Sequence, residues 1–222
     1  MDVERARFNM IEQQIRPWDV LDQSVLDLLE VVRRELFVPK QFAALAFVDT
    51  ELPLVIDGAA TGESMFAPKV EARWLQELAI RPHERVLEIG TGSGYMAALA
   101  AHKGQHVLTV EIDPVLQAFA RANLARAGVR NVEVEGGDAA RGWPARAPYD
   151  VIIVSGGLPA IPDSLRSQLR VGGRLVAIVG EPPTMEARVV TRASEAEFEA
   201  VNLYETNAKV LRNAWRPSAF RF

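Results

Sequence analysis

Val86-Leu87-Glu88-Ile89-Gly90-Thr91-Gly92-Ser93-Gly94-Tyr95 reads as a buried strand, a glycine loop and the first residue of a helix. Val86, Leu87 and Ile89 are apolar, as a strand covered on both faces requires. Three glycines at alternate positions follow. Without Cβ atoms they let the backbone turn tightly and let a ligand lie against the peptide groups. The alanine-rich run 97–101 predicts a helix whose N-terminus offers unpaired N–H groups to the loop. A dinucleotide fingerprint is spaced Gly-x-Gly-x-x-Gly. Here the third glycine comes one residue early, and Tyr95 stands where that motif has its last glycine.

Downstream, Val107-Leu108-Thr109-Val110 reads as a second strand ending at Glu111. An acid at that point can accept both hydroxyls of an adenosine ribose. A helix is expected over 114–127, opened by Pro114 and closed by Gly128. Val132 and Val134 lead into Gly136-Gly137-Asp138-Ala139, a third strand with an acid at its end. Strands at 149–154 and 174–179 enclose a helix at 163–169, and 186–192 with 197–204 alternate apolar and polar as a closing antiparallel pair. The alternation predicts an α/β fold, a doubly wound and mostly parallel sheet. Upstream, residues 1–34 read as two amphipathic helices parted at Pro17, 35–70 as irregular, and 70–80 as a helix with Val70, Trp74, Leu75 and Leu78 inward. The expected organisation is one domain over 1–222: a helical and irregular region (1–80), a core (84–180), and closing strands with a tail (181–222).

The chain has 222 residues, 49% of them hydrophobic, so a substantial core can form. Without cysteine there is no disulfide and no thiolate nucleophile. His83, His102 and His106 fall in turns or at helix ends without metal-ligand spacing, so no metal is expected. A net charge of −4 with scattered arginines argues against a nucleic-acid groove. No signal segment or membrane-length apolar run is visible, so the expectation is a cytoplasmic protein without a membrane or nucleic-acid partner. The oligomeric state is left open.

Glu88-x-Gly90-x-Gly92-x-Gly94 resembles the first motif of the class I S-adenosylmethionine-dependent methyltransferases. A longer ordered series is more specific. Phe37-Val38-Pro39, Leu52-Pro53-Leu54, Gly62-Glu63-Ser64-Met65-Phe66-Ala67-Pro68, the block 86–99, Gly137-Asp138, Pro148-Tyr149-Asp150 and Gly172-Gly173-Arg174-Leu175 resemble, in order, the landmarks of the protein-L-isoaspartate O-methyltransferase family. The resemblance implies S-adenosylmethionine as cofactor, S-adenosylhomocysteine as product, and a protein or peptide bearing isoaspartate as partner. It places the cofactor on Glu88, Gly90, Thr91, Gly92, Ser93 and Gly94, on Glu111 and Ile112, and on Asp138 and Ala139. It places the acceptor on Ser64, Met65, Phe66 and Pro68, with Ser64 as the candidate catalytic residue.

Three departures stand out. Phe66 replaces the serine of the family's Thr-Ile-Ser, and residues 55–61 are longer than usual. The tail, from Leu211 to Phe222, lacks the family's Phe-Val-Pro-Leu ending. Two further readings therefore stay open: a methyltransferase of this fold with another acceptor, and a non-catalytic cofactor-binding protein. Ser155-Gly156-Gly157-Leu158-Pro159 after the fourth strand is not the Asn/Asp-Pro-Pro-Tyr/Phe motif of enzymes that methylate base amino groups.

Overall fold

Asp2 starts the first helix, α1 (Val3–Met10), by accepting the Arg5 N–H. The structure, a computed structural model, describes residues 2–217. α1 runs into a π-helical turn, Ile11–Ile15, and stops at a 3-10 turn, Arg16–Trp18, where Pro17 removes a donor. Asp22 caps α2 (Gln23–Val31) through the Ser24 N–H.

The segment 35–70, expected to be irregular, contains an antiparallel hairpin of β1 (Leu52–Ile56) and β2 (Ala59–Met65). Its two turn residues, Asp57 and Gly58, both have left-handed backbone (φ 50° and 82°). Asp-Gly favours this two-residue turn, whose twist matches that of paired strands. α3 (Pro68–Leu78) follows and buries Val70, Trp74, Leu75 and Leu78, as their spacing predicts.

The remaining elements alternate. They are β3 (Arg85–Ile89), α4 (Tyr95–Lys103), β4 (His106–Glu111), α5 (Pro114–Arg126), β5 (Val132–Gly136), β6 (Tyr149–Leu158), α6 (Asp163–Arg166), β7 (Leu169–Glu181), β8 (Thr184–Arg192) and β9 (Phe198–Thr206). One sheet takes the order β5-β4-β3-β6-β7-β8-β9, parallel from β5 to β7 and antiparallel at β8 and β9. The doubly wound, mostly parallel reading and the closing antiparallel pair are both borne out.

The period-two alternation of the strands divides the core. Val86, Val107, Val151, Ile153 and Val176 pack with the N-terminal helices, α3, α4 and α5. Leu87, Ile89, Leu108, Val110, Ile152 and Leu175 face the other side, with Tyr149 and Leu165. The chain leaves β3 toward β4 and later returns to β6 on the opposite side of β3. Such a switch point opens a crevice beyond the carboxyl ends of the strands, where ligands of α/β sheets bind.

After β9 the chain runs back across this crevice. Gly157 N–H donates to the Lys209 carbonyl at 2.8 Å, and Leu211 N–H donates to the Gly157 carbonyl at 2.9 Å. The aromatic end of the tail, 218–222, lies outside the described residues. Among the described residues, no helix is long and apolar enough to cross a membrane.

Candidate active site

The glycine loop sits at the mouth of the crevice. Gly90 has φ +88°, and a Cβ there would stand 3.0 Å from the Ser155 carbonyl oxygen. β3 and β6 can approach this closely only because Gly90 has no side chain. At Gly92 (φ +51°) the nearest atom to an added Cβ is Leu54 Cδ1 at 3.5 Å, so the missing side chain leaves open cavity. Gly94 has another setting. It caps α4, and its own Cβ would meet Leu124 and Ala120 of α5, outside the cavity lining.

Register places the buried acid. Glu88 on β3 pairs with Thr109 on β4, and period-two alternation turns both toward the helix-covered face. Thr109 Oγ1 donates to Glu88 Oε2 at 2.7 Å, and Ser155 Oγ donates to Oε1 at 2.9 Å. Thr91 Oγ1 lies 2.7 Å from Thr109 Oγ1 and extends the chain of hydroxyls into the loop. Glu88 has no exposed surface yet lines the cavity floor. Burial pushes its carboxyl up to about 8, against the pull of the two hydroxyls.

Glu111, at the end of β4, closes the loop from the side. Its Oε2 accepts the Gly92 N–H at 2.9 Å and its Oε1 accepts the Asp113 N–H at 3.0 Å. Each carboxylate oxygen has two lone pairs, so both keep capacity for a ligand hydroxyl. Ile112 is exposed beside it at the cavity wall. At the end of β5, Asp138 Oδ1 accepts the Ala140 N–H at 3.0 Å, and Ala139 is buried next to it. The three acids read from sequence thus line one cavity, from three adjacent strands.

The opposite wall is the end of β2. Ser64, Met65 and Phe66 all line the cavity, whereas Pro68 is buried at the start of α3 and does not. Ser64 Oγ donates to Glu51 Oε2 at 2.9 Å. The Phe66 ring packs edge-on against Trp74, with centroids 5.2 Å apart. The buried Arg34 holds this turn from behind. It donates to the Phe66 carbonyl at 2.7 Å and to the Ala46 carbonyl at 3.0 Å, and pairs with Glu71. Burial outweighs that pairing and pushes the Glu71 carboxyl up to about 7.

The third wall is the segment after β9. Lys209 Nζ meets Glu63 at 2.9 Å, and Arg212 bridges Glu63 (2.9 Å) and Asp113 (3.3 Å). Asn213 Nδ2 donates to Asp138 Oδ2 at 2.9 Å. Leu211 fills the space over Gly90 and Gly156.

Residues 5–208 match the family described as protein-L-isoaspartate(D-aspartate) O-methyltransferase. The chain belongs to this family. It is 46% identical over 176 residues to the protein-L-isoaspartate O-methyltransferase of Methanoculleus marisnigri, covering 79% of this chain and 78% of that one. Identity to the protein of that name from Methylorubrum populi is 40% over 197 residues, covering 89% and 90% of the two chains. A solved structure called protein-L-isoaspartate O-methyltransferase superposes with a TM-score of 0.80 at 26% identity, over 92% of this chain and 65% of that chain.

Within the family frame, the sequence located the glycine loop, the acids at the strand ends and the Ser64–Phe66 wall. It missed Glu51, Glu63, Lys209, Leu211, Arg212 and Asn213. The adjacent glycines Gly156 and Gly157 were the readable hint of a close approach there. A Cβ on Gly156 would come within 2.5 Å of Leu211 Cδ2.

Proposed function

We infer that this chain transfers a methyl group from S-adenosylmethionine to the free carboxylate of an isoaspartyl residue in a protein or peptide. The observation that carries this reading is the composition of one cavity in a member of this family. An adenosyl-type cradle (Glu88, the glycine loop, Glu111, Asp138) faces the Ser64–Phe66 segment across it. The residues fit the cofactor. Gly92 leaves room where a side chain would intrude, and Glu111 retains lone pairs toward the ribose. Glu88, which no cation pairs among the described residues, suits the methionine ammonium, and Asp138 the adenine amino group.

Bound S-adenosylmethionine supplies a methyl group activated by the sulfonium. The acceptor needs no base, since a carboxyl with a pKa near 4 is already ionised at neutral pH. Its oxygen forms the new bond to the methyl carbon as the carbon–sulfur bond breaks. The chain's own work is alignment and the exclusion of water. Ser64 aims the acceptor carboxylate through its hydroxyl. Leu211 and Val210 cover the cavity with apolar surface. Phe66 stands where a second hydroxyl would be, so one hydrogen bond to the carboxylate is missing.

The test is transfer of labelled methyl to an isoaspartyl peptide beside its normal-aspartyl twin. Methylation is expected of the first only. Ser64→Ala should slow it about ten- to hundredfold, the equivalent of roughly 1.5–3 kcal/mol for a hydrogen bond to a charged group. Phe66→Ser should raise turnover. If the wild type and Phe66→Ser bind cofactor normally and leave the peptide unmethylated, the acceptor is another molecule and Phe66 lines a different substrate pocket.

A further inference from the structure

The acceptor hydroxyl is already taken. A serine hydroxyl has one proton to donate, and that of Ser64 goes to a carboxylate of the protein itself, Glu51. Hairpin register fixes this contact. Leu52 pairs with Met65 and Pro53 with Ser64, so one step further Glu51 comes opposite Phe66 and diagonal to Ser64 on the same face. Glu51 and Ser64 both line the cavity. The nearby cations, Lys209 and Arg212, are committed to Glu63 and Asp113. Among the described residues, no ion pair neutralises Glu51.

Resting on the reading of this chain as an isoaspartyl methyltransferase, we propose that Glu51 sets acceptor affinity by holding the place of the acceptor carboxylate on Ser64 until a substrate displaces it. Two carboxylates cannot both take the one proton of Ser64, and their like charges oppose sharing the position. A carboxylate held only by its charge gains little by the exchange. One carried on a peptide that makes further contacts displaces Glu51 at the expense of that binding energy. The cost is the same for every carboxylate, so Glu51 raises the binding energy that any acceptor must supply, a threshold met by further contacts along a polypeptide. It acts on acceptor binding and touches neither the cofactor nor the transferred methyl.

Steady-state methylation of an isoaspartyl peptide by wild type, Glu51→Gln, Glu51→Ala, Ser64→Ala and Glu51→Ala/Ser64→Ala tests this. In the two Glu51 single variants the peptide KM should fall about two- to fivefold, the range of an exposed charged contact, while kcat stays near the wild-type value. In the Ser64→Ala background, removing Glu51 should leave KM unchanged. S-adenosylhomocysteine affinity, measured by calorimetry, should be the same in wild type and both Glu51 single variants, which separates the effect from damage to the fold. An unchanged or raised KM in both single variants overturns the proposal, as does a fall that persists undiminished without Ser64. Failure of every variant, wild type included, to methylate the peptide overturns the isoaspartyl reading itself.

Discussion

Acidification should loosen the grip on the cofactor through one carboxyl group, Glu88. It has no exposed surface, and burial raises its pKa to about 8, with the neighbouring charges of Glu71 and Glu111 adding to the rise. Hydrogen bonds from Thr109 and Ser155 only partly offset this. A cationic methionine end calls for the ionised form. With a pKa of about 8, roughly half the molecules are ionised at pH 8 and about one in a hundred at pH 6, and apparent affinity scales with the competent fraction. Kd should therefore weaken about fiftyfold between pH 8 and pH 6, or about 2 kcal/mol. Titration calorimetry with S-adenosylhomocysteine, in buffers of different ionisation enthalpy, reads both the Kd and the proton released, close to one per ligand near pH 6. Glu88→Gln should flatten the profile and abolish the release. A pH-independent Kd with no buffer-dependent heat would refute the argument, as would an unchanged slope in Glu88→Gln. Without ligand the linkage has the opposite sense. The folded chain holds this proton up to about pH 8, whereas the unfolded chain loses it near 4.5. The stabilisation is full below about 4.5 and is lost as pH rises through 8. Glu71, raised to about 7, acts in the same direction.

Four further outcomes are expected. Gly90→Ala should lower the melting temperature, because its Cβ meets the Ser155 carbonyl at 3.0 Å with φ +88°. Gly92→Ala should cost no more than about 1–2 kcal/mol of left-handed strain yet weaken cofactor binding; thermal melts paired with calorimetry tell the two glycines apart. Arg34→Ala, by leaving Glu71 buried without its partner, should destabilise the fold by about 3–5 kcal/mol in urea titration. An apolar pair, Arg34→Met with Glu71→Leu, should recover most of that loss.

The parts of the fold legible in the sequence were those whose cause is local. Alternating apolar residues announce strands such as 107–110, and glycines or acids at the strand ends announce the crevice. β1 and β2 were harder to see. Pro53 interrupts the first and Gly62 the second, and Glu63 and Ser64 leave little apolar alternation; only Asp57-Gly58 signalled the turn. The third wall had no local signature beyond Gly156-Gly157, which mark a close approach without saying what approaches. Lys209 reaches Glu63 across 146 positions and Arg212 across 149, and no periodicity encodes such contacts. Glu51 was invisible for a related reason: its role depends on hairpin register, and a shift of one residue would turn it to the other face.

That third wall also sets an order of events in the making of the protein. A ribosome finishes every strand of the sheet before it reaches residue 207. The crevice, its glycine loop and Glu111 can then already be shaped while the cavity lacks one side. Completing it adds Ala208 and Leu211 to clusters already formed, two backbone hydrogen bonds at Gly157, a hydrogen bond from Asn213 to Asp138 and three ion pairs, to Glu63 and Asp113. The cavity's third side is made after the strands it rests on, so competence to enclose a ligand follows the shaping of the crevice.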